Sequence, residues 1–251
     1  MPLCSVVRRN PRVRGASAVL LVSVWLCASG CQAPQRRTAG MSVEGRPIDY
    51  EVFGRGNDVV LIMATIHGDE PAGTPLVHRL ADRITGDPHL TRGRQVILMP
   101  VANPDGYVHQ TRHNVHGIDL NRNFPAGNFT VTDAHGSQPL SEPESRAIKA
   151  LLDEYHPSRI VSIHQPYAVI DYDGPAEALA RAMAEYTDLP VKRVGSRPGS
   201  LGSYAGLTLE IPIITLELPE SASNLDDDAL WDDYGMSLLA AICFPDACPA
   251  E

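Results

Sequence analysis

Residues 59–64 read VVLIMA, apolar at all six positions. The run is too short for a typical helix and does not alternate as a half-buried strand would. It therefore reads as a strand covered on both faces, as the strands of parallel sheets are. Residues 95–101 (QVILMPV), 159–163 (RIVSI) and 211–216 (IPIITL) have the same character. Residues 48–53 read as an edge strand and 191–194 as a short one. Helical segments are expected over 72–84, 141–155, 176–187 and 226–243. Ser141 and Glu144 fit a capping box with Pro143 in the first turn. Acidic residues open the last helix, where the helix dipole favours them. Strands that alternate with helices define an α/β domain whose sheet is covered on both faces. Breakers fall at Gly86-Asp87-Pro88 and at the turn Asn103-Pro104-Asp105-Gly106, and residues 195–206 form a Gly/Ser-rich loop. Residues 107–134 show little periodicity and much polar chemistry, and so long an irregular stretch is functional or disordered.

The N-terminus has a different logic. Arg8, Arg9, Arg12 and Arg14 precede an apolar segment over 16–26, too short to span a bilayer comfortably. Ala28-Ser29-Gly30-Cys31 then reads as a lipoprotein cleavage site, with Cys31 the lipidated residue of the mature chain. This gives a lipoprotein-type signal peptide over 1–30, a polar tether over 31–45 and one folded domain over 46–251. The expected location is periplasmic or cell-envelope, anchored to a membrane through Cys31. Without residues 1–30 the chain holds 17 Lys and Arg against 30 Asp and Glu, a net charge of −13. Such a chain has no basic patch of the kind nucleic acid requires. Cys243 and Cys248 remain near the C-terminus, and an oxidising compartment would permit a disulfide between them.

Three residues with catalytic potential follow apolar strands: His67, His164 and Glu217. In open α/β sheets, ligands bind beyond the carboxyl ends of the strands. His67 and Glu70 are spaced to face one point from a turn or first helical turn. Alone, that pair reads better as a solvated turn with a helix-capping Glu, since short motif matches arise by chance. His164 would complete a ligand set that leaves zinc one open position, the pattern of catalytic sites. Glu217 would then stand as a carboxylate beside bound water. The irregular stretch adds Arg112 and Asp119-Leu120-Asn121-Arg122-Asn123-Phe124-Pro125. A guanidinium presents a planar fork suited to a carboxylate or an oxyanion.

In this order the motifs resemble the zinc carboxypeptidase family: His-x-x-Glu at 67 and 70, Asn-Pro-Asp-Gly at 103–106, Arg112, the 119–125 motif, His164, and Thr-Leu-Glu at 215–217. Ser-Glu-Pro-Glu at 141–144, Ser-Ile-His-Gln-Pro at 162–166 and Pro-Gly-Ser-Leu-Gly-Ser-Tyr at 198–204 are similar to the murein peptide amidase branch. The resemblance spans residues 58–220. It implies a single-domain fold with a mixed, mostly parallel sheet. It further implies one Zn2+ per chain held by His67, Glu70 and His164. Arg112 would stabilise the oxyanion, Asn121 and Arg122 would hold the substrate's free carboxylate, and Glu217 would be the general base. Tyr204 stands where the branch often has Trp and is expected on the substrate pocket wall. The implied reaction is hydrolysis of the γ-D-glutamyl–meso-diaminopimelate bond of murein-derived peptides by a zinc-activated water. The alternatives are a carboxypeptidase on ordinary peptide C-termini, an N-acyl amino acid deacylase, or a non-catalytic wall-binding lipoprotein.

Overall fold

All six apolar positions of the 59–64 run are buried, and they lie in strand β3 (Asp58–Ala64). Successive side chains point to opposite faces of a strand. Val60, Ile62 and Ala64 enter one core and Val59, Leu61 and Met63 the other. Burying one such side chain fully contributes about 1.5–3 kcal/mol, so a strand filled on both sides anchors the sheet.

The computed structural model describes Met1 and residues 34–246. Most of the expected signal peptide, the lipidation candidate Cys31 and the disulfide candidate Cys248 lie outside the described residues. The remaining strands are β1 (Gln35–Met41), β2 (Pro47–Gly54), β4 (Arg94–Met99), β5 (Arg159–His164), β6 (Tyr167–Asp173) and β7 (Ile213–Pro219). They form one seven-stranded sheet in the order β1-β2-β4-β3-β5-β7-β6. The four central strands are parallel, and the antiparallel strands lie outside them. Helices α1 (Gly73–Gly86), α4 (Glu177–Ala184) and α5 (Asp227–Cys243) cover the Ile62 face through residues such as Leu80, Met183 and Leu238. Helix α3 (Pro143–Tyr155) covers the Leu61 face through Ile148 and Leu151, beside Leu120 and Phe124. The expected mixed, mostly parallel α/β sheet is present.

Arg159 shows how this frame is tied together. It is buried, forks onto Asp58 at 2.6 and 3.0 Å, and donates to the carbonyls of Ala241 and Ile242 at 2.6 and 2.7 Å. A cation at the carbonyl end of α5 satisfies groups the helix cannot pair itself.

Several local expectations differ from the structure. The expected tether contains strand β1, and that strand pairs with β2. The 48–53 run is therefore interior to the sheet and not an edge. The Asn-Pro-Asp-Gly turn starts helix α2 (Pro104–His109), with the Asn103 side chain accepting from the Gly106 N–H at 2.9 Å. The Ser141–Glu144 capping box does not form, because tertiary partners take both side chains. Ser141 Oγ accepts from Asn123 at 2.9 Å and donates to Glu142 at 2.8 Å, and Glu144 accepts from the Val43 N–H at 3.1 Å. The 191–194 segment makes a single bridge, Val191 to Ile170. Ser203–Thr208 winds into a π-helical turn within the expected loop. Strand β6 was not expected at all.

Candidate metal centre and active site

The parallel strands deliver the site residues to one edge of the sheet. His164 ends β5 and lies in register with Glu217 on neighbouring β7. His67 follows β3 after a sharp exit in which Thr65 takes a positive φ of 53°. That conformation is rare for a β-branched residue and costs on the order of 1–3 kcal/mol. The buried Thr65 hydroxyl pairs with Thr74 Oγ1 at 2.7 Å, which helps hold the turn. Gly68 is needed beside it, because a Cβ there would lie 1.9 Å from the carbonyl carbon of Gly106.

His67, Glu70 and His164 are buried, with one ligand atom from each lying within 4.8 Å of the others. Glu70 Oε1 faces His67 Nδ1 at 2.8 Å, and Oε2 faces His164 Nδ1 at 2.9 Å. The far nitrogens are occupied: His67 Nε2 meets Asp119 Oδ1 at 3.0 Å, and His164 Nε2 meets Ser162 Oγ at 3.1 Å. A proton held at each Nε2 leaves the Nδ1 lone pair for a cation. A carboxylate behind a ligating imidazole is the usual orienting partner in zinc sites. Two imidazoles and one carboxylate are a donor set for zinc with an open fourth position, so the residues present fit the metal.

The electrostatics agree. Burial would raise the Glu70 pKa, but hydrogen bonding and charge from His164 and His67 hold it well below the usual carboxylate range. Burial likewise works against ionised Asp119, yet His67, Arg122 and Arg112 keep it low. Burial pushes the Glu217 carboxyl up; His164 opposes this and the Glu70 charge adds to it. Glu217 Oε2 is buried with no hydrogen-bond partner among the described residues, an uncommon state for a carboxylate oxygen and one that suits a proton acceptor.

An open cavity joins these residues to Arg112, Asn121 and Arg122. Arg112 donates to Glu70 Oε1 at 2.7 Å, and its side chain is 41% exposed. Asn121 Oδ1 accepts from the Leu201 N–H at 2.9 Å, which leaves the amide N–H groups as donors. Arg122 is disfavoured as a cation by burial; Asp119 opposes that, while Arg112 and Arg197 add to it.

Tyr204 is a correction. It is 5% exposed, stacks on Phe124 at 6.2 Å and 12°, and packs in the core under α3, away from the cavity lining. The π-helical turn rolls it inward. Conversely, the cavity is lined by Asp171, Asp173, Arg197 and Thr215, to which sequence reasoning gave no role. Asp119 was visible in its motif, but nothing in the sequence singles it out as the partner of His67. Gln165 also escaped notice: its N–H donates to Glu70 Oε2 at 3.2 Å and its side chain accepts from Ala72 N–H at 3.1 Å.

A mixed α/β sheet with a His/Glu/His site at its strand ends defines a zinc metallopeptidase, and the chain belongs to the zinc carboxypeptidase family, whose profile matches residues 31–188. Murein peptide amidase A of Escherichia coli (strain K12) is 33% identical over 214 residues, covering 78% of this chain and 86% of the relative. The crystal structure of a murein-tripeptide amidase from Escherichia coli O157 superposes with a TM-score of 0.68 at 29% identity, over 83% of this chain and 92% of that one. Carboxypeptidase A from Helicoverpa armigera gives the same TM-score of 0.68 at 22% identity, over 84% and 67% of the two chains, a likeness of fold alone. With the family and the donor set in hand, the cofactor is Zn2+, one ion at His67, Glu70 and His164.

Proposed function

We propose that the protein is an exported zinc amidase that hydrolyses the γ-D-glutamyl–meso-diaminopimelate bond of murein-derived peptides. One observation carries the hydrolytic reading: the Asn121–Arg122 pair opens onto the same cavity as the metal donors and Glu217, whose Oε2 has no hydrogen-bond partner among the described residues. The cell-wall substrate is supported by the similarity to murein peptide amidase A across most of that protein's length.

Zinc bound at the three donors would polarise the scissile carbonyl and acidify a water. Glu217 takes the water proton and passes it to the leaving amine, a role for which a raised pKa is favourable. Arg112 faces the charge that develops on the carbonyl oxygen. Asn121 and Arg122 hold the free carboxylate of the leaving residue and so fix the scissile bond relative to Glu217. A second groove, lined by Asp69, Glu220 and Ser223 and sharing Arg112 and Gln165 with the cavity, offers room for the acyl side of the substrate. Asp119 orients His67.

The anchoring of the protein through Cys31 rests on the sequence motif. Among the described residues no helix is long and apolar enough to cross a membrane. Cys31→Ser should abolish lipid labelling in the native host, and wild type without lipid on Cys31 would replace anchoring with plain secretion.

The deciding experiment incubates zinc-loaded protein with L-Ala-γ-D-Glu-meso-diaminopimelate beside matched α-linked peptides. Release of diaminopimelate from the γ-linked substrate is expected. Faster cleavage of the α-linked peptides would make the protein an ordinary carboxypeptidase, and stoichiometric zinc without turnover of either would make it a binding protein.

A further inference from the structure

Beyond the Asn121–Arg122 pair, the cavity contains charges that the roles above leave unused. Asp171 and Asp173 stand two apart on β6 and so share one face of the strand. They lie opposite Thr215 and Ile213 of β7, on the same sheet face as Glu217. Both acids line the cavity and both are buried, at 8% and 4% exposure. Asp171 Oδ1 accepts from the Tyr172 and Val194 N–H groups at 2.9 and 2.8 Å. Asp173 Oδ1 accepts from the Ser196 hydroxyl, while no hydrogen bond from a described residue reaches its Oδ2. Gly202 makes room for that oxygen, since a Cβ there would lie 2.2 Å from it.

Among the described residues no cation pairs with either acid. The same cavity holds the converse arrangement. Arg197 is exposed and Arg122 is partly buried, and among the described residues no carboxylate lies within ion-pair distance of either. The two guanidinium groups are close enough for Arg197 to disfavour the charge on Arg122. Two buried acids with no cation beside them, near a partly buried Arg122, are costly unless a ligand of matching charge completes them, and the exposed Arg197 stands free to meet that ligand's anionic group.

We propose that this end of the cavity is a subsite for a side chain that itself ends in an amino acid head group, with its ammonium held by Asp171 and Asp173 and its carboxylate by Arg197. Arg122 is then left for the carboxylate on the leaving residue's own α-carbon. The proposal rests on the reading of the protein as an amidase that releases such a residue. A lysine side chain would meet the acids and leave Arg197 unmatched, and an aliphatic one would strand both acids. The bland account is that the acids only pin the 194–196 loop. That account predicts equal effects on every ligand.

The test measures binding by calorimetry to the zinc-loaded full chain. The probes are meso-diaminopimelate, L-lysine, which lacks the distal carboxylate, and 2-aminopimelate, which lacks the distal ammonium. Wild type should favour meso-diaminopimelate over each by about tenfold or more, the worth of one charge-assisted hydrogen bond. Arg197→Gln should collapse the preference over lysine and keep the preference over 2-aminopimelate. Asp173→Asn should do the reverse. Equal wild-type binding of all three, or variants that weaken all three alike, would overturn the subsite. Should Asp173→Asn fail to fold, the exposed Arg197 variant and the wild-type series decide alone. Turnover of γ-D-glutamyl-meso-diaminopimelate and γ-D-glutamyl-L-lysine is followed in parallel. No γ-linked turnover with the binding pattern intact removes the amidase reading and leaves the subsite. Turnover without the binding pattern removes the subsite only.

Discussion

Removing the Asp119 carboxylate should weaken zinc binding while leaving the fold in place. Asp119 Oδ1 receives two hydrogen bonds, from His67 Nε2 at 3.0 Å and from the Asn121 N–H at 2.9 Å. Its Oδ2 lies 3.6 Å from Arg112 Nε. It therefore fixes the tautomer of one metal ligand and the turn that carries Asn121 and Arg122. Loss of such an orienting partner costs about 10–100-fold in metal affinity, or about 1.4–2.7 kcal/mol. Asp119→Asn retains an Oδ1 that can accept both bonds but removes the charge. Charge-assisted hydrogen bonds are about twice as strong as neutral ones, so the asparagine variant should fall between wild type and Asp119→Ala. The alanine variant alone should also raise KM, because the Asn121 N–H loses its acceptor. Competition with a chromophoric chelator reads the zinc affinity, and thermal melting followed by circular dichroism reads the fold. Wild-type affinity in Asp119→Ala would refute the reasoning. If the alanine variant loses its melting transition, the asparagine variant carries the decision.

Other changes separate the remaining roles. Glu217→Gln should lower turnover by about 10²–10⁴-fold with zinc still near one per chain, whereas His67→Ala and His164→Ala should lose metal and activity together; zinc lost from Glu217→Gln would make Glu217 a ligand. Arg122→Leu should weaken substrates with a free terminal carboxylate by about 1.5–3 kcal/mol, and equal turnover of acid and amidated substrates by wild type would remove the clamp. Asp105 is buried and accepts from Ser42 Oγ at 2.7 Å, Glu44 N–H at 2.9 Å and Arg46 Nη1 at 2.6 Å; burial opposes its ionisation, but these partners hold its pKa below the ordinary value. A carboxyl depressed by folding stabilises above its unfolded pKa of about 3.9 and loses that contribution as pH falls through the folded value, so the urea-midpoint gap between wild type and Asp105→Asn should be full at pH 7 and shrink below about pH 4, and a gap that persists on acidification would refute it.

The parallel core was legible because its strands are apolar on both faces, and the metal donors were legible because they follow those strands directly. What lacked such a signal was missed. Strand β1, QRRTAGM, is largely exposed and is held by backbone pairing to β2, so its side chains carry no burial pattern. Tyr204 sits among small residues that resemble a loop at a pocket wall, but the π-helical turn over Ser203–Thr208 stacks it on Phe124. The partner of His67 had to be an acid or a carbonyl, and among 30 acidic residues only the fold selects Asp119.

Strand β6 is the most consequential element that the sequence hid. Acids are depleted in strands, and YAVIDYD carries one at Asp171 and another at Asp173. Yet its period is two: Ala168, Ile170 and Tyr172 pack into the α1 face, while Asp171 and Asp173 point to the cavity side. Charges at positions that would otherwise continue a sheet face are a local conflict of the kind expected at a functional site. Because β6 runs antiparallel to β7, it descends from the strand-carboxyl edge and does not return to it. Asp171 therefore lies level with Thr215 and Asp173 level with Ile213, two and four residues below Glu217 along β7. At about 3.4 Å per residue, those steps place the acids about 7 and 14 Å along the strand from Glu217. A short side chain would leave them unmet and desolvated, whereas a long one with a charged end reaches them. The direction of one edge strand thus sets where along the sheet the two acids meet the cavity.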